Sequence, residues 1–86
     1  IGVEEPDYGK PEIFPNPARE FISVTGKRGG IRRVSVADMQ GRVLLTREYE
    51  GKNPSVILSV NRLTPGIYLV VVHGETWSAS SKLLIY

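Results

Sequence analysis

The chain predicts an all-β fold, a sandwich or barrel, and three observations carry that reading. Short runs rich in Val, Ile and aromatic residues alternate with Gly, Pro, Asn and Asp turn signals about every ten residues. No window of useful length repeats its apolar residues at helical spacing, because Gly, Pro or β-branched residues interrupt each candidate. Within the runs, apolar and polar residues alternate with period two, as a strand with one buried face requires.

In chain order, residues 1–11 carry acids, Pro6, Gly9 and Pro11 with little periodicity, and read as a linker or loosely attached arm before a domain over residues 12–86. A short extended piece is expected at Glu12–Phe14, then strands over residues 21–24, 31–37, 43–49, 56–60, 67–73 and 77–86. Alternation assigns Phe21, Val34, Val36, Val43, Leu45, Val56, Leu58, Val60, Leu63, Tyr68, Val70, Val72, Leu83 and Ile85 to the core. Ile67, Leu69 and Val71, with Leu84 and Tyr86, make the second face of two strands apolar as well. Either that face is covered, by packing under the arm or by a partner, or it is scattered exposed surface; the sequence leaves both open.

The turns have definite physical content. Pro15-Asn16-Pro17 holds Asn16 extended, since a residue before proline is pushed out of the α region, and its amide can then tie down a neighbouring backbone group. Asp38-Met39-Gln40-Gly41 fits a type I turn followed by a left-handed residue. In it Asp38 accepts from the N–H two residues on, and Gly41 takes a positive φ. Thr64-Pro65-Gly66-Ile67 fits a type II turn, with Gly66 at the position of positive φ.

Composition narrows the function classes. With 86 residues the chain makes one small domain, and 41% hydrophobic with 23% charged residues is ordinary for a globular one. A net charge of +2 is too small to imply a nucleic-acid partner. The Lys27, Arg28, Arg32, Arg33 cluster reads as a solvated face, balanced elsewhere by Glu4, Glu5, Asp7, Glu48 and Glu50. Without cysteine there is no disulfide, no thiolate nucleophile and no Cys-type zinc site. No apolar run reaches the length of a membrane span, so direct membrane insertion is not expected. No signal peptide opens the chain, which starts at Ile1 and reads as a piece of a longer protein.

No catalytic constellation emerges, and neither enzymatic activity nor a cofactor or metal site is expected. His73 is the single histidine, beside Gly74 at the end of an apolar run, where it reads as a turn or edge residue. Glu48 and Glu50 fall on one side of a strand, but at two-residue spacing they read as solubilising charges rather than paired catalytic carboxylates. Trp77 and tyrosines 8, 49, 68 and 86 raise the possibility of a sugar-stacking platform. Against it, Tyr68 falls at a core position and Trp77 stands among Ser78, Ser80 and Ser81.

Four motifs occur in a fixed order: Pro15-Asn16-Pro17; a strand ending in Asp38 and followed by Gly41-Arg42; Leu63, Gly66 and Tyr68 with Val70 and Val72 after them; and a terminal Lys82-Leu83-Leu84-Ile85-Tyr86. From Glu12 to Tyr86 this succession resembles the C-terminal sorting domain of the type IX (Por) secretion system, carried by exported proteins of Bacteroidetes. Many members finish on a second lysine or similar polar residue where this chain has Tyr86. The resemblance implies an immunoglobulin-like β-sandwich of about seven antiparallel strands. It also implies family-motif and recognition residues at Pro15, Asn16, Pro17, Asp38, Gly41, Arg42, Gly66, Tyr68, Lys82, Leu83 and Ile85. Its implied partners are outer-membrane translocon components, the cargo domains of the same protein and, in many members, a cell-surface sortase-like protease that removes the domain. The implied route passes through the periplasm to the cell surface or the medium. An immunoglobulin-like adhesion or spacer module and a carbohydrate-binding module are the alternatives, since such turns serve either.

Overall fold

The structure is a computed structural model that describes residues 10–86. Each β-rich run forms a strand, and the described residues contain seven: β1 (Glu12–Phe14), β2 (Phe21–Thr25), β3 (Arg33–Asp38), β4 (Val43–Glu48), β5 (Ser55–Ser59), β6 (Gly66–His73) and β7 (Ser78–Ile85). The seven expected runs are all present, with ends moved by up to two residues. Of the expected arm, residues 1–9 lie outside the described residues, and Pro11 is already buried.

The seven strands pair antiparallel, in a three-stranded sheet of order β1-β2-β5 and a four-stranded sheet of order β4-β3-β6-β7, and Ala18 adds one isolated parallel bridge to Ile85. The chain crosses between sheets after β2, β4 and β5, which makes the sandwich immunoglobulin-like, with β4 joined to the sheet of β3, β6 and β7. Between the sheets, Ile22, Val24 and Leu58 meet Val34, Val36, Val70, Val72 and Leu83, all fully or almost fully buried. Burying each such aliphatic side chain is worth about 1.5–3 kcal/mol against leaving it exposed.

Nine of the fourteen expected core residues are buried, and Leu45, Val56 and Leu63 are partly buried against them. Two are corrected. Phe21 is 51% exposed because β2 runs in the opposite phase: Ile22 faces Leu58 and Val24 faces Val56, while Ser23 and Thr25 share the outer face with Phe21. Val43 is 57% exposed because a bulge at Val36/Ala37 shifts the β3–β4 register. Leu45 stays opposite Val36, and one additional β4 residue sends Val43 to the outer face opposite Ala37.

The β5–β6 corner also departs from expectation. Gly66 has the expected positive φ, but at +159° it is far from the roughly +80° that a type II turn requires. It opens β6 opposite Ile85 instead. The corner is held by Tyr68, whose hydroxyl donates back to the Thr64 carbonyl and lies 3.2 Å from the Thr64 hydroxyl. This is the tyrosine corner of immunoglobulin-like sandwiches, and its signal in the sequence is Tyr68 two residues after Pro65-Gly66. At the other end of the sandwich Trp77 packs against the core and over Gly26, where a Cβ would lie only 2.6 Å from its ring.

Candidate functional site

Strand register gathers the four sequence motifs at one end of the four-stranded sheet. Asp38 on β3 is opposite Tyr68 on β6, Tyr68 is opposite Leu83 on β7, and Gly66 is opposite Ile85. The next row places Val43, Ala37, Leu69 and Lys82 side by side.

The first motif joins the last across a gap of more than sixty residues. Pro15 and Pro17 have no N–H, so the segment cannot form a continuous ladder, and the Phe14–Pro15 and Asn16–Pro17 peptide bonds are cis. The Asn16 carboxamide supplies the missing donor and acceptor. Its Nδ2 donates to the Lys82 carbonyl at 3.0 Å, and its Oδ1 accepts from the Leu84 N–H at 3.0 Å. Ala18 continues the pairing, donating its N–H to Leu84 O at 2.8 Å and accepting from Tyr86 N at 3.1 Å. Arg19 lies over the Tyr86 ring, 5.1 Å from its centroid. The outer edge of β7 is therefore occupied over residues 82–86 by its own chain. Asn16 does bind backbone, but on β7 rather than on a neighbouring segment, and Ala18 carries no signal in the sequence.

The second motif is a closed turn. Gly41 N donates to Asp38 O at 3.0 Å with Gly41 at φ +89°, as the sequence predicts. Asp38 Oδ1 accepts from the N–H groups of Gln40 and Arg42, each at 3.0 Å, and Oδ2 is 3.2 Å from Arg42 Nε. The Arg42 N–H outweighs partial burial and, with the Gln40 N–H and the Arg42 charge, holds the Asp38 carboxyl below its ordinary value. A lowered folded value means that the charged carboxylate stabilises the fold above the ordinary aspartate range, and that this is lost as pH falls through the lowered value. Urea midpoints are therefore expected to fall on acidification below about pH 4, less steeply in Asp38→Asn, whose amide oxygen still accepts. Parallel pH profiles for the two proteins would contradict this role.

Leu83 and Ile85 point into the core, whereas Lys82 is exposed on the outer face beside Leu69. Ile67 and Leu84 are opposite each other on that face, 46% and 43% exposed, so with Leu69 they form a contiguous apolar strip that no described residue covers.

The remaining chemistry candidates lie apart from this end. Glu48 pairs with Arg33 at 2.7 Å and Glu50 with Lys52 at 3.5 Å, so the two carboxylates each have their own cation. His73 sits opposite Arg33 and Ser78 at the far end of the sheet. Trp77 packs on the core, Tyr49 donates to Ile57 O at 3.1 Å, and Tyr8 lies outside the described residues. Burial raises the Tyr49 hydroxyl above its ordinary value, opposed by the charge of Arg47. Among the described residues, these positions do not assemble a stacking platform.

Residues 12–86 match the sequence profile described as the secretion system C-terminal sorting domain. No curated protein matches the chain.

Proposed function

The chain belongs to the family of type IX secretion C-terminal sorting domains, and from that membership we propose how its sandwich works. A type IX sorting signal marks a protein for export to the cell surface or the extracellular space and engages that secretion machinery. The family is one of secretion signals, not of enzymes.

In our reading, residues 12–86 form the folded signal, and the cargo precedes it in the same protein. The protein pauses in the periplasm, where an outer-membrane translocon component reads the end of the sheet that carries Asp38, Gly66, Tyr68 and Lys82. The observation that supports this is the convergence of all four family motifs there, with Asn16 joining the first to the last. A machine that handles unrelated cargoes must read a shared feature, and a rigid β-surface provides one. Where a sortase acts, we place its cut within residues 1–10, ahead of the hydrogen-bonded strands.

A fusion of residues 1–86 behind a signal peptide and a fluorescent cargo tests this in a type IX-competent cell. Delivery to the surface or medium, lost in a translocon mutant, is the expected result. Cargo trapped in the periplasm of the competent cell would sink the reading. Mass spectrometry of the delivered protein reads the processing step: a mature C-terminus within or before residues 1–10 supports cleavage, and an intact Tyr86 excludes it.

A further inference from the structure

The sandwich is open along one side. β4 ends the four-stranded sheet and β5 ends the three-stranded one, and among the described strands neither has a neighbour beyond it. Between them lies a groove of about 870 Å³. Leu45, Leu63 and the Tyr68 ring contribute its apolar lining, and Arg42, Arg47 and Arg62 contribute the charge. No carboxylate lines it. Arg42 is held by Asp38, but among the described residues neither Arg47 nor Arg62 has a carboxylate at ion-pair distance. Like charges gathered around a cleft raise the local potential and favour an anionic occupant.

The strand edge beside the groove also offers backbone. Tyr49 N donates to Arg32 O at 2.8 Å, which fixes the phase of the β3–β4 ladder. Antiparallel alternation then turns the N–H and C=O of Thr46 and Glu48 away from β3, toward the open side. Guanidinium groups alone would suit any small anion. Together with an apolar lining and a free strand edge they suit an extended peptide, because an added strand satisfies the edge and presents every second side chain to the groove.

We propose that this groove takes an acidic, extended segment of a partner protein, added as a strand to the free edge of β4. Its groove-facing residues alternate as acidic, apolar, acidic: the apolar residue lies over Leu45, and the carboxylates meet Arg47 and a neighbouring arginine of the rim. Cross-strand pairs on one face set this pattern. Arg42 and Tyr68 belong both to the groove and to the end of the sheet read in export, whereas Thr46, Arg47 and Arg62 lie outside that end, so variants at these three read binding here separately from export.

The probe is a fluorescein-labelled heptapeptide, Thr-Glu-Thr-Leu-Thr-Glu-Thr, titrated with the full 86-residue chain. A permuted heptapeptide of the same composition, Thr-Thr-Glu-Leu-Glu-Thr-Thr, places the acids on the face opposite the leucine. The first peptide is expected to bind at least ~10-fold more tightly than the permuted one, and than a version with lysine for glutamate, a difference of about 1.4 kcal/mol. Arg47→Glu with Arg62→Glu is expected to reverse the preference for glutamate over lysine. Thr46→Pro, tolerated on an edge whose N–H faces outward, is expected to weaken binding by a similar factor. Equal affinity for the two acidic peptides would reduce the groove to an unspecific anion patch and overturn the proposal. Unchanged binding by the double arginine variant would overturn it as well. So would retention of phosphatidylglycerol vesicles through these arginines with no peptide bound, which would assign the groove to anionic lipid.

Discussion

Tyr68→Ala is expected to lower the stability of the domain by about 3–5 kcal/mol, the cost of deleting a buried aromatic side chain. The ring is only 5% exposed and belongs to the core cluster, so its loss opens a cavity between the sheets. Small domains have about 5–15 kcal/mol of stability in total, so this one residue decides whether the fold persists at growth temperature. Two contributions can be separated. Tyr68→Phe keeps the ring and removes the hydroxyl that donates to Thr64 O, and is expected to cost about 0.5–1.5 kcal/mol. Urea denaturation of the three proteins gives both numbers. A Tyr68→Ala midpoint equal to wild type would show that the β5–β6 corner does not hold the sandwich.

Gly66, two residues earlier, takes the positive φ the sequence suggests, but not in a type II turn. Read as the third residue of a type II turn, it would tolerate no side chain. In the structure its φ is +159°, still a positive value that strains a residue with a side chain, although a Cβ would meet the Tyr68 ring at an ordinary 3.8 Å. The Pro-Gly pair marks the corner correctly, but the tyrosine two positions on closes it.

That contrast describes how far the sequence is legible. Strand existence follows from local content, and all seven runs were visible because turn residues bound each one. Phase is harder. In β2 the largest side chain, Phe21, competes with the pair Ile22 and Val24, and the pair wins because Leu58 and Val56 of β5 stand opposite them. In β4 a bulge breaks the period of two, and nothing in residues 43–48 announces it. The Asp38 turn is local and was legible to the level of single hydrogen bonds. The contact of Asn16 with Lys82 and Leu84 is set by the packing of the whole sandwich, so the sequence shows the free amide without its address.

The two ends of that contact make the final test, because β7 combines a folding role with the proposed recognition role. Deleting residues 82–86 is expected to unfold the domain, not merely to hide a signal. It removes Leu83 and Ile85, each worth about 2–5 kcal/mol as buried aliphatics, which together rival the stability of a small domain. It also strips the partners of Gly66, Ile67, Tyr68 and Leu69 on β6 and those of Asn16 and Ala18. Failed export of that truncation therefore says little about recognition. Lys82→Glu separates the two roles. The side chain is exposed beside Leu69, and among the described residues no carboxylate pairs with it, so reversing its charge is expected to change stability by no more than about 0.5 kcal/mol. If the translocon reads this face, surface delivery of the fused cargo falls while the urea midpoint stays at the wild-type value. Wild-type delivery of a folded Lys82→Glu fusion would remove Lys82 from the recognition surface. Cooperative unfolding of the 1–81 truncation near the wild-type midpoint would show instead that the end of β7 is not part of the folding core.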